Sequence, residues 1–135
     1  MDAESEVFAY LASTSFILQI TNNSVWDGDV SAAGSLVAYV HAGLNPAEKE
    51  TQVCLFDLDT RMGLRLDSDS LRDESPHTDG RWVAWVGWDA TDSEIYLWDG
   101  TRVRRLTNND TEDASPVVCN QAVTWDGFDG HDWEI

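Results

Sequence analysis

One pattern of apolar and turn residues occurs three times along this chain of 135 residues. Each copy has a strand-like segment, a short turn, a second such segment, a polar stretch, and a segment that ends in an aromatic residue. The closing aromatics are Tyr39, Trp85 and Trp125, spaced 46 and 40 residues apart. Self-similarity at this period predicts a repeat architecture, in which each unit buries its apolar face only against its neighbours.

The residues within each repeat are those of short strands. Apolar and β-branched side chains alternate in Glu6–Tyr10, Gln52–Phe56 and Glu94–Trp98, and Gly, Asn, Asp and Pro bound these segments. Such alternation predicts strands rather than helices, and only Pro46 with the four residues after it predicts a single helical turn. We therefore predict an all-β chain with four antiparallel strands per repeat, and repeats at 6–51, 52–93 and 94–133.

Several polar positions recur in phase with the strands. An aspartate stands before the next strand of each repeat, and a proline follows it by three residues in the second and third repeats, with Val30 in the first. The fixed spacing before a strand favours a structural role for these residues. They are Asp27, Asp73, Asp113, Pro76 and Pro116.

Four short strands with a period near 40 residues are typical of a β-propeller blade. The segment "EIYLWDGTRVRRLTNNDTEDASPVVCNQAVTW" (94–125) resembles the repeats of TolB-like propellers, which are WD-repeat-like blades. The resemblance covers nearly the whole chain and departs from the family pattern at Val30. It implies a protein-interaction role in an extracytoplasmic or cell-surface setting, although the chain shows no signal-peptide pattern, so its localisation stays open.

The number of repeats raises the question of ring closure. Propellers close with about four to eight blades, so three repeats cannot form a ring alone. Glu6 and Glu134 occupy equivalent positions, so the chain spans almost a whole number of repeats. We expect a homodimer that forms a six-bladed ring, in which strands within 6–20 complete the last blade of the other copy. The alternative is that the chain is part of a longer propeller.

Charge narrows the class of partner. The formal net charge is -17, from 25 acidic and 8 basic residues, and such a chain repels the phosphates of a nucleic-acid backbone, so no nucleic-acid partner is expected. In the predicted blade order, the loops on one side carry most of the acids, while most arginines, Arg105 among them, are assigned to the opposite side. The acidic side therefore predicts binding to a basic protein or to cations.

Two matching loops on the acidic side are the candidate binding site. Gly87–Glu94 and Gly127–Glu134 each hold two aspartates three residues apart, and such carboxylates are ligands for calcium. The favoured interpretation is that they cap their own turns, because Asp side chains accept bonds from nearby backbone N–H groups. The candidate residues are Asp89, Asp92, Asp129 and Asp132.

Aromatic and loop residues on the same side suggest other ligands. Trp88 and Phe128 begin the two matching loops, where they either stack on a glycan, as in a lectin, or pack between blades. The second interpretation is favoured. The enlarged loop from His41 to Thr51, which contains Asn45, interrupts the repeat and is expected to contribute to specificity.

No set of catalytic residues stands out, so we predict a non-enzymatic scaffold that needs no cofactor. The alternatives are a lectin-like propeller and the propeller of a larger hydrolase. Cys54 and Cys119 lie in apolar segments and are expected to be buried free thiols rather than a disulfide. No apolar run is long enough for a membrane span.

Overall fold

The computed structural model describes residues 4–43, 50–66 and 70–135. These residues form strands and turns without a helix, which confirms the predicted all-β class. No helix in this part of the chain is long and apolar enough to cross a membrane. The helical turn predicted at 46–50 lies largely outside the described residues.

The strands are β1 Phe8–Leu11, β2 Phe16–Gln19, β3 Asp27–Ala33, β4 Leu36–Ala42, β5 Thr51–Asp57, β6 Met62–Arg65, β7 Arg72–Thr78, β8 Val83–Trp88, β9 Ser93–Trp98, β10 Val103–Arg105, β11 Asp113–Cys119, β12 Ala122–Phe128 and β13 Trp133–Glu134.

The strands form four antiparallel sheets in sequence order. Strands β3 to β6 make one four-stranded meander, called blade one, and β7 to β10 make a second, called blade two. Strands β11 to β13 form a three-stranded sheet, blade three, and β1 and β2 form a separate hairpin. Strand β7 lies beside both β3 and β11, so the first strands of successive blades are neighbours, as at the centre of a propeller. The predicted four-stranded propeller blade is thus confirmed.

The main apolar core lies between blades one and two. Trp85 is fully buried there and stacks on Tyr96, with ring centroids 5.8 Å apart. Val53 and Leu55 of β5 face these rings from blade one. Residues two apart on a strand share one face, so alternation along β5, β8 and β9 places one apolar set against the neighbouring blade.

The other strand tryptophans are less buried than the sequence suggests. Trp98 packs against the first core, and Trp82 packs against a second cluster formed by Ala84, Leu97 and Val118. Both are half-buried, as is Trp125 in blade three. Only Trp85 of these four is a fully buried core residue, because it alone lies in the middle of a complete sheet with another blade against its ring.

Each inner strand contains the same irregularity. Asp29, Ser75 and Ser115 have positive φ angles of 51°, 53° and 53°, at the points where the pairing register shifts. The residues that follow Ser75 and Ser115 are the buried prolines Pro76 and Pro116. The Ser75 amide donates a 2.8 Å hydrogen bond to Asp29 Oδ2, so the repeated bulge joins blades one and two.

The expectation of two buried thiols is wrong for Cys119. Both cysteines are free, but Cys54 is half-buried and Cys119 is exposed. Val118 faces blade two, so alternation turns Cys119 to the opposite side of blade three, which no other blade in the described part of the chain covers. Burial in the sheet raises the pKa of Cys54 to about 11, which leaves it a protonated and unreactive thiol near neutral pH.

Candidate interaction site on the acidic loops

The two matching loops have the same conformation. Each is closed by a backbone hydrogen bond, from Asp89 N to Asp92 O at 3.0 Å and from Asp129 N to Asp132 O at 3.1 Å. In each, Oδ1 of the first aspartate accepts bonds from the amides two and three residues later. These bonds hold the pKa of Asp89 and of Asp129 below the ordinary range, led by the Thr91 amide and the Asp132 amide respectively. The first aspartate of each loop thus caps its own turn.

In blade two the loop is tied to the sheet by an arginine. One guanidinium nitrogen of Arg105 lies 2.9 Å from Asp89 Oδ2 and 2.7 Å from Glu94 Oε1. Glu94 is fully buried, and Thr107 Oγ1 and the Asn109 amide also donate to it. This carboxylate is therefore fully hydrogen-bonded as well as ion-paired.

The assignment of Arg105 to the opposite side of the blade is wrong. Arg105 is the last residue of β10, so it lies at the strand end next to the acidic loops rather than at the β9–β10 turn. The pairing of Arg105 with Glu94 does not follow from local sequence patterns, because the two residues are eleven positions apart. The signal was the glutamate that recurs at Glu6, Glu94 and Glu134 at the start of one strand.

Asp92 is buried without a full set of partners. Its side chain is 4% exposed, and Oδ2 has no hydrogen-bond partner. Burial, followed by the neighbouring Glu94 charge, raises the pKa of Asp92 above its ordinary value. The second aspartate of this loop is therefore destabilising in its ionised form.

We expect Asp92→Asn to raise the free energy of unfolding at pH 7 by about 1 kcal/mol, because it removes a buried and incompletely paired charge. A raised pKa in the folded state means that ionisation favours the unfolded state at pH values above that pKa. The advantage of asparagine should therefore shrink as the pH falls and vanish below the unfolded pKa of about 3.9. Thermal unfolding of both proteins between pH 7 and pH 3.5 measures this difference; a gain that does not change with pH would contradict it.

The corresponding loop of blade three is open to solvent. Asp129, Asp132 and Glu134 are exposed, and Asp110 and Glu112 of the loop before β11 are exposed as well. The Phe128 amide donates a 2.9 Å hydrogen bond to Glu112 O, which holds the two loops side by side. We call these five residues the acidic surface.

Carboxylate oxygens converge in both loops. Oxygens of Asp89, Asp92 and Glu94 lie within 4.8 Å of one another, and so do those of Asp129, Asp132 and Glu134. In the first group Arg105 already contacts two of the three carboxylates. In the second group, Asp129 Oδ1 holds the turn, while all three residues face solvent.

The two loop aromatics have protein partners. Arg72 lies over the Trp88 ring, 5.1 Å from its centroid, and Trp88 Nε1 donates a 2.8 Å hydrogen bond to Glu74 Oε1. Phe128 packs at a tilt against Trp133, with centroids 5.7 Å apart. Both rings are half-buried. The guanidinium of Arg72, from the same blade, covers one face of the Trp88 ring.

The repeated aspartates are buried at the start of the inner strands. Asp27 accepts from Asn23 and contacts His41 Nδ1 at 2.6 Å, while Asp113 accepts from Asn109. Asp73 accepts a hydrogen bond from Ser70. His41 thus lies in β4 and contacts a buried strand residue rather than belonging to the enlarged loop, and Asn45 of that loop lies outside the described residues. Hydroxyls at one equivalent position donate to the carbonyls of these aspartates, namely those of Ser5, Thr51 and Ser93.

Comparison with known proteins identifies the fold. No protein-family profile and no curated protein sequence matches the chain. The protein assigned as TolB in Agrobacterium tumefaciens has a similar structure, with a TM-score of 0.66 and 20% identity over 96% of this chain and 48% of its own. TolB from Acinetobacter baumannii gives 0.66 and 19% over 95% of this chain and 33% of its own. The tricorn protease gives 0.50 and 13% over 85% of this chain and 11% of its own. The chain thus spans about half the length of the first structure and a third of the second.

Proposed function

We infer that this chain, a TolB-like β-propeller structure, acts as a non-enzymatic scaffold that binds a basic segment of a partner protein through the acidic surface. The observation that carries the proposal is the exposure of five carboxylates on two adjoining loops of blade three. No lysine or arginine occurs from residue 106 to the end of the sequence. The two loops of this surface therefore contain no lysine or arginine of the kind that Arg105 supplies in blade two.

Electrostatics supports a cationic partner. Like charges held close together raise the local negative potential, which attracts basic ligands and speeds their association. Each exposed carboxylate is hydrated and binds a cationic group only weakly, so several carboxylates must act together to bind a basic segment. Backbone hydrogen bonds fix both loops, so the carboxylates of this surface are held close together and can bind one ligand jointly.

The histidines support a role without catalysis. His41 Nδ1 contacts a buried aspartate, and His77 Nδ1 accepts a 3.0 Å hydrogen bond from the Val118 amide. His131 is exposed at the tip of its loop. Two of the three imidazoles thus support the fold rather than activate a nucleophile.

A peptide of alternating lysine and glycine tests the acidic surface. We expect the double variant Glu112→Gln/Asp132→Asn to weaken binding of this peptide by roughly fivefold to tenfold at low salt, because it removes two of five neighbouring charges. Both substitutions keep the size of the side chain. Fluorescence anisotropy of the labelled peptide measures the change, and added salt should reduce the difference.

The control variant removes one carboxylate that lies away from the acidic surface. Asp59 is exposed at the turn between β5 and β6, so Asp59→Asn should leave the peptide affinity nearly unchanged. The control removes one charge and the double variant two, so an equal loss per charge removed would show attraction by net charge alone and would overturn the acidic surface as a binding site. A glycan panel examined by tryptophan fluorescence tests the rival proposal of a lectin, for which Trp88 and Phe128 would have to respond.

We propose that calcium binds only weakly, at Asp129, Asp132 and Glu134, with a dissociation constant of about 10⁻⁴ M or higher. One oxygen of Asp129 is used by the turn, and exposed carboxylates leave the ion largely hydrated. In the blade-two loop, Arg105 supplies a positive charge to Asp89 and Glu94 instead. Calorimetric titration with calcium measures the affinity, and Asp132→Asn should abolish the heat. Binding a hundred times tighter would contradict this account.

A further inference from the structure

Two strands in the described part of the chain lack a neighbour that their equivalents have. Strands β5 and β9 each pair with two strands, whereas β1, at the equivalent place in its repeat, pairs only with β2. Strand β12 pairs with β11 along its length but with β13 only at Gly127 and Phe128. Both strands therefore present open edges, and open edges favour pairing with another chain.

The open hairpin also exposes an apolar face. Phe8, Tyr10 and Ile17 are 56%, 65% and 65% exposed. The residues at the equivalent positions of blade two pack against the core shared with blade one, and they are Tyr96, Trp98 and Val103. The hairpin thus carries the side chains of a blade interface without the opposing blade.

The open edge of blade three lacks the aromatic partner found in blade two. There, Trp85 is paired across the strands with Tyr96, and the two rings stack. Trp125 holds the position of Trp85, but no strand lies opposite it. Instead an apolar groove of about 450 Å³ follows this edge, lined by Val123, Thr124, Trp125, Gly127, Glu134 and Ile135.

Hydrogen bonds fix which residue of the hairpin matches which residue of blade two. The Asn23 amide donates to Glu6 as the Asn109 amide donates to Glu94. One residue further along, the amides of Val7 and Ile95 donate to the hydroxyls of Thr21 and Thr107. Glu6 is therefore equivalent to Glu94, and Phe8 is equivalent to Tyr96.

We propose that β12 of one copy pairs with β1 of a second copy of this chain, and that the reciprocal junction closes a six-bladed ring. The register of β8 with β9 places Phe8 opposite Trp125, Tyr10 opposite Val123 and Glu6 opposite Gly127. Phe8 of one copy then stacks on Trp125 of the other. Each junction buries the exposed face of one hairpin and pairs both open edges.

A second copy suits both edges at once. Each chain carries one open hairpin and one incomplete blade, so a twofold exchange satisfies both without leaving an edge. Six blades lie within the usual range of about four to eight. In the ring, Ser5 and Glu6 occupy the places opposite Phe128 and Gly127 that Trp133 and Glu134 hold in the single chain. Ser5 also donates to Asp27 O as Ser93 does to Asp113 O, a link that tryptophan at 133 cannot make.

The mass of the protein in solution tests this pairing. Light scattering should give twice the chain mass of 15.1 kDa. Phe8→Lys should weaken dimerisation by roughly a hundredfold, because it removes an aromatic anchor from both junctions. Met62 is 70% exposed on β6, away from the junction, so Met62→Lys should remain a dimer. A wild-type protein that stays monomeric at all concentrations, or a dimer insensitive to Phe8→Lys, would overturn the proposal.

A designed disulfide tests the register. In a background with Cys54→Ser and Cys119→Ser, the pair Ala9→Cys and Thr124→Cys should form a covalent dimer on mild oxidation, because these positions face each other across the junction. Moving the first cysteine to Ser13, in the hairpin turn, should abolish the cross-link. Equal cross-linking from both positions would indicate a different contact between copies. The cross-link does not require peptide binding, and the peptide test changes Glu112 and Asp132, so each proposal can fail without the other even though pairing displaces Glu134 from its place opposite Gly127.

Discussion

Replacing Arg105 with methionine is expected to lower the free energy of unfolding by about 3 kcal/mol, because removing one partner leaves a buried charge unpaired. The charge is that of Glu94, which is fully buried and lies 2.7 Å from the guanidinium. Methionine keeps most of the side-chain volume, so the loss reports the charge rather than a cavity. Unfolding in urea followed by far-UV circular dichroism measures the change.

Two comparisons separate burial from charge. Arg104 also binds an aspartate, Asp99, but its side chain is half exposed, and Arg104→Met should cost at most about 1 kcal/mol. Adding Glu94→Gln to Arg105→Met should recover part of the stability, because the unpaired charge is then gone. Equal losses from the two arginine variants would show that burial of Glu94 does not matter to this network.

Replacing Trp85 with alanine is expected to cost about 4 kcal/mol, because a large buried ring is removed and leaves a cavity. Trp85 is fully buried and stacks on Tyr96, so the loss includes the contact between the rings. Chemical denaturation measures it. Such a loss is a large part of the stability of a domain of this size, so the variant should be partly unfolded at ordinary temperature.

Two tryptophan variants serve as controls for this effect. Trp133 is half exposed at the open edge of blade three, and Trp133→Ala should cost less than about 1 kcal/mol. Trp85 Nε1 is buried without a hydrogen-bond partner, so Trp85→Phe removes an unsatisfied donor and should cost clearly less than alanine. A similar loss for phenylalanine and alanine would contradict this account, because phenylalanine keeps a large aromatic ring against Tyr96.

Strand positions and blade order followed from the sequence because they depend on local rules. Side chains alternate along a strand, and Gly, Asp and Asn mark the turns, so Glu94–Trp98 was recognisable without knowing its neighbours. The same holds for the turn-capping aspartates, whose acceptor bonds reach only two or three residues along the chain. The acidic loops were therefore found in the right places.

The chemical character of those loops did not follow from the sequence. Asp92 and Asp132 occupy the same position in matching loops, yet the first is buried and the second is exposed. The difference comes from the surroundings, since β10 and the loop after it cover the blade-two loop and no equivalent strand is paired there in blade three. Whether the four loop aspartates share one chemical character is determined by contacts between residues that are distant in the sequence.

The sequence by itself determined an all-β fold of propeller blades, because period and alternation are properties of neighbouring residues. The tertiary structure alone decided which charges are internal and which are offered to solvent. Arg105 forms ion pairs with Glu94 and Asp89 inside blade two, whereas the five carboxylates of the acidic surface have no lysine or arginine in their own loops. The physical reason is that burial and ion pairing depend on which strands fold together, and among the described residues no counterpart of strand β10 pairs with blade three.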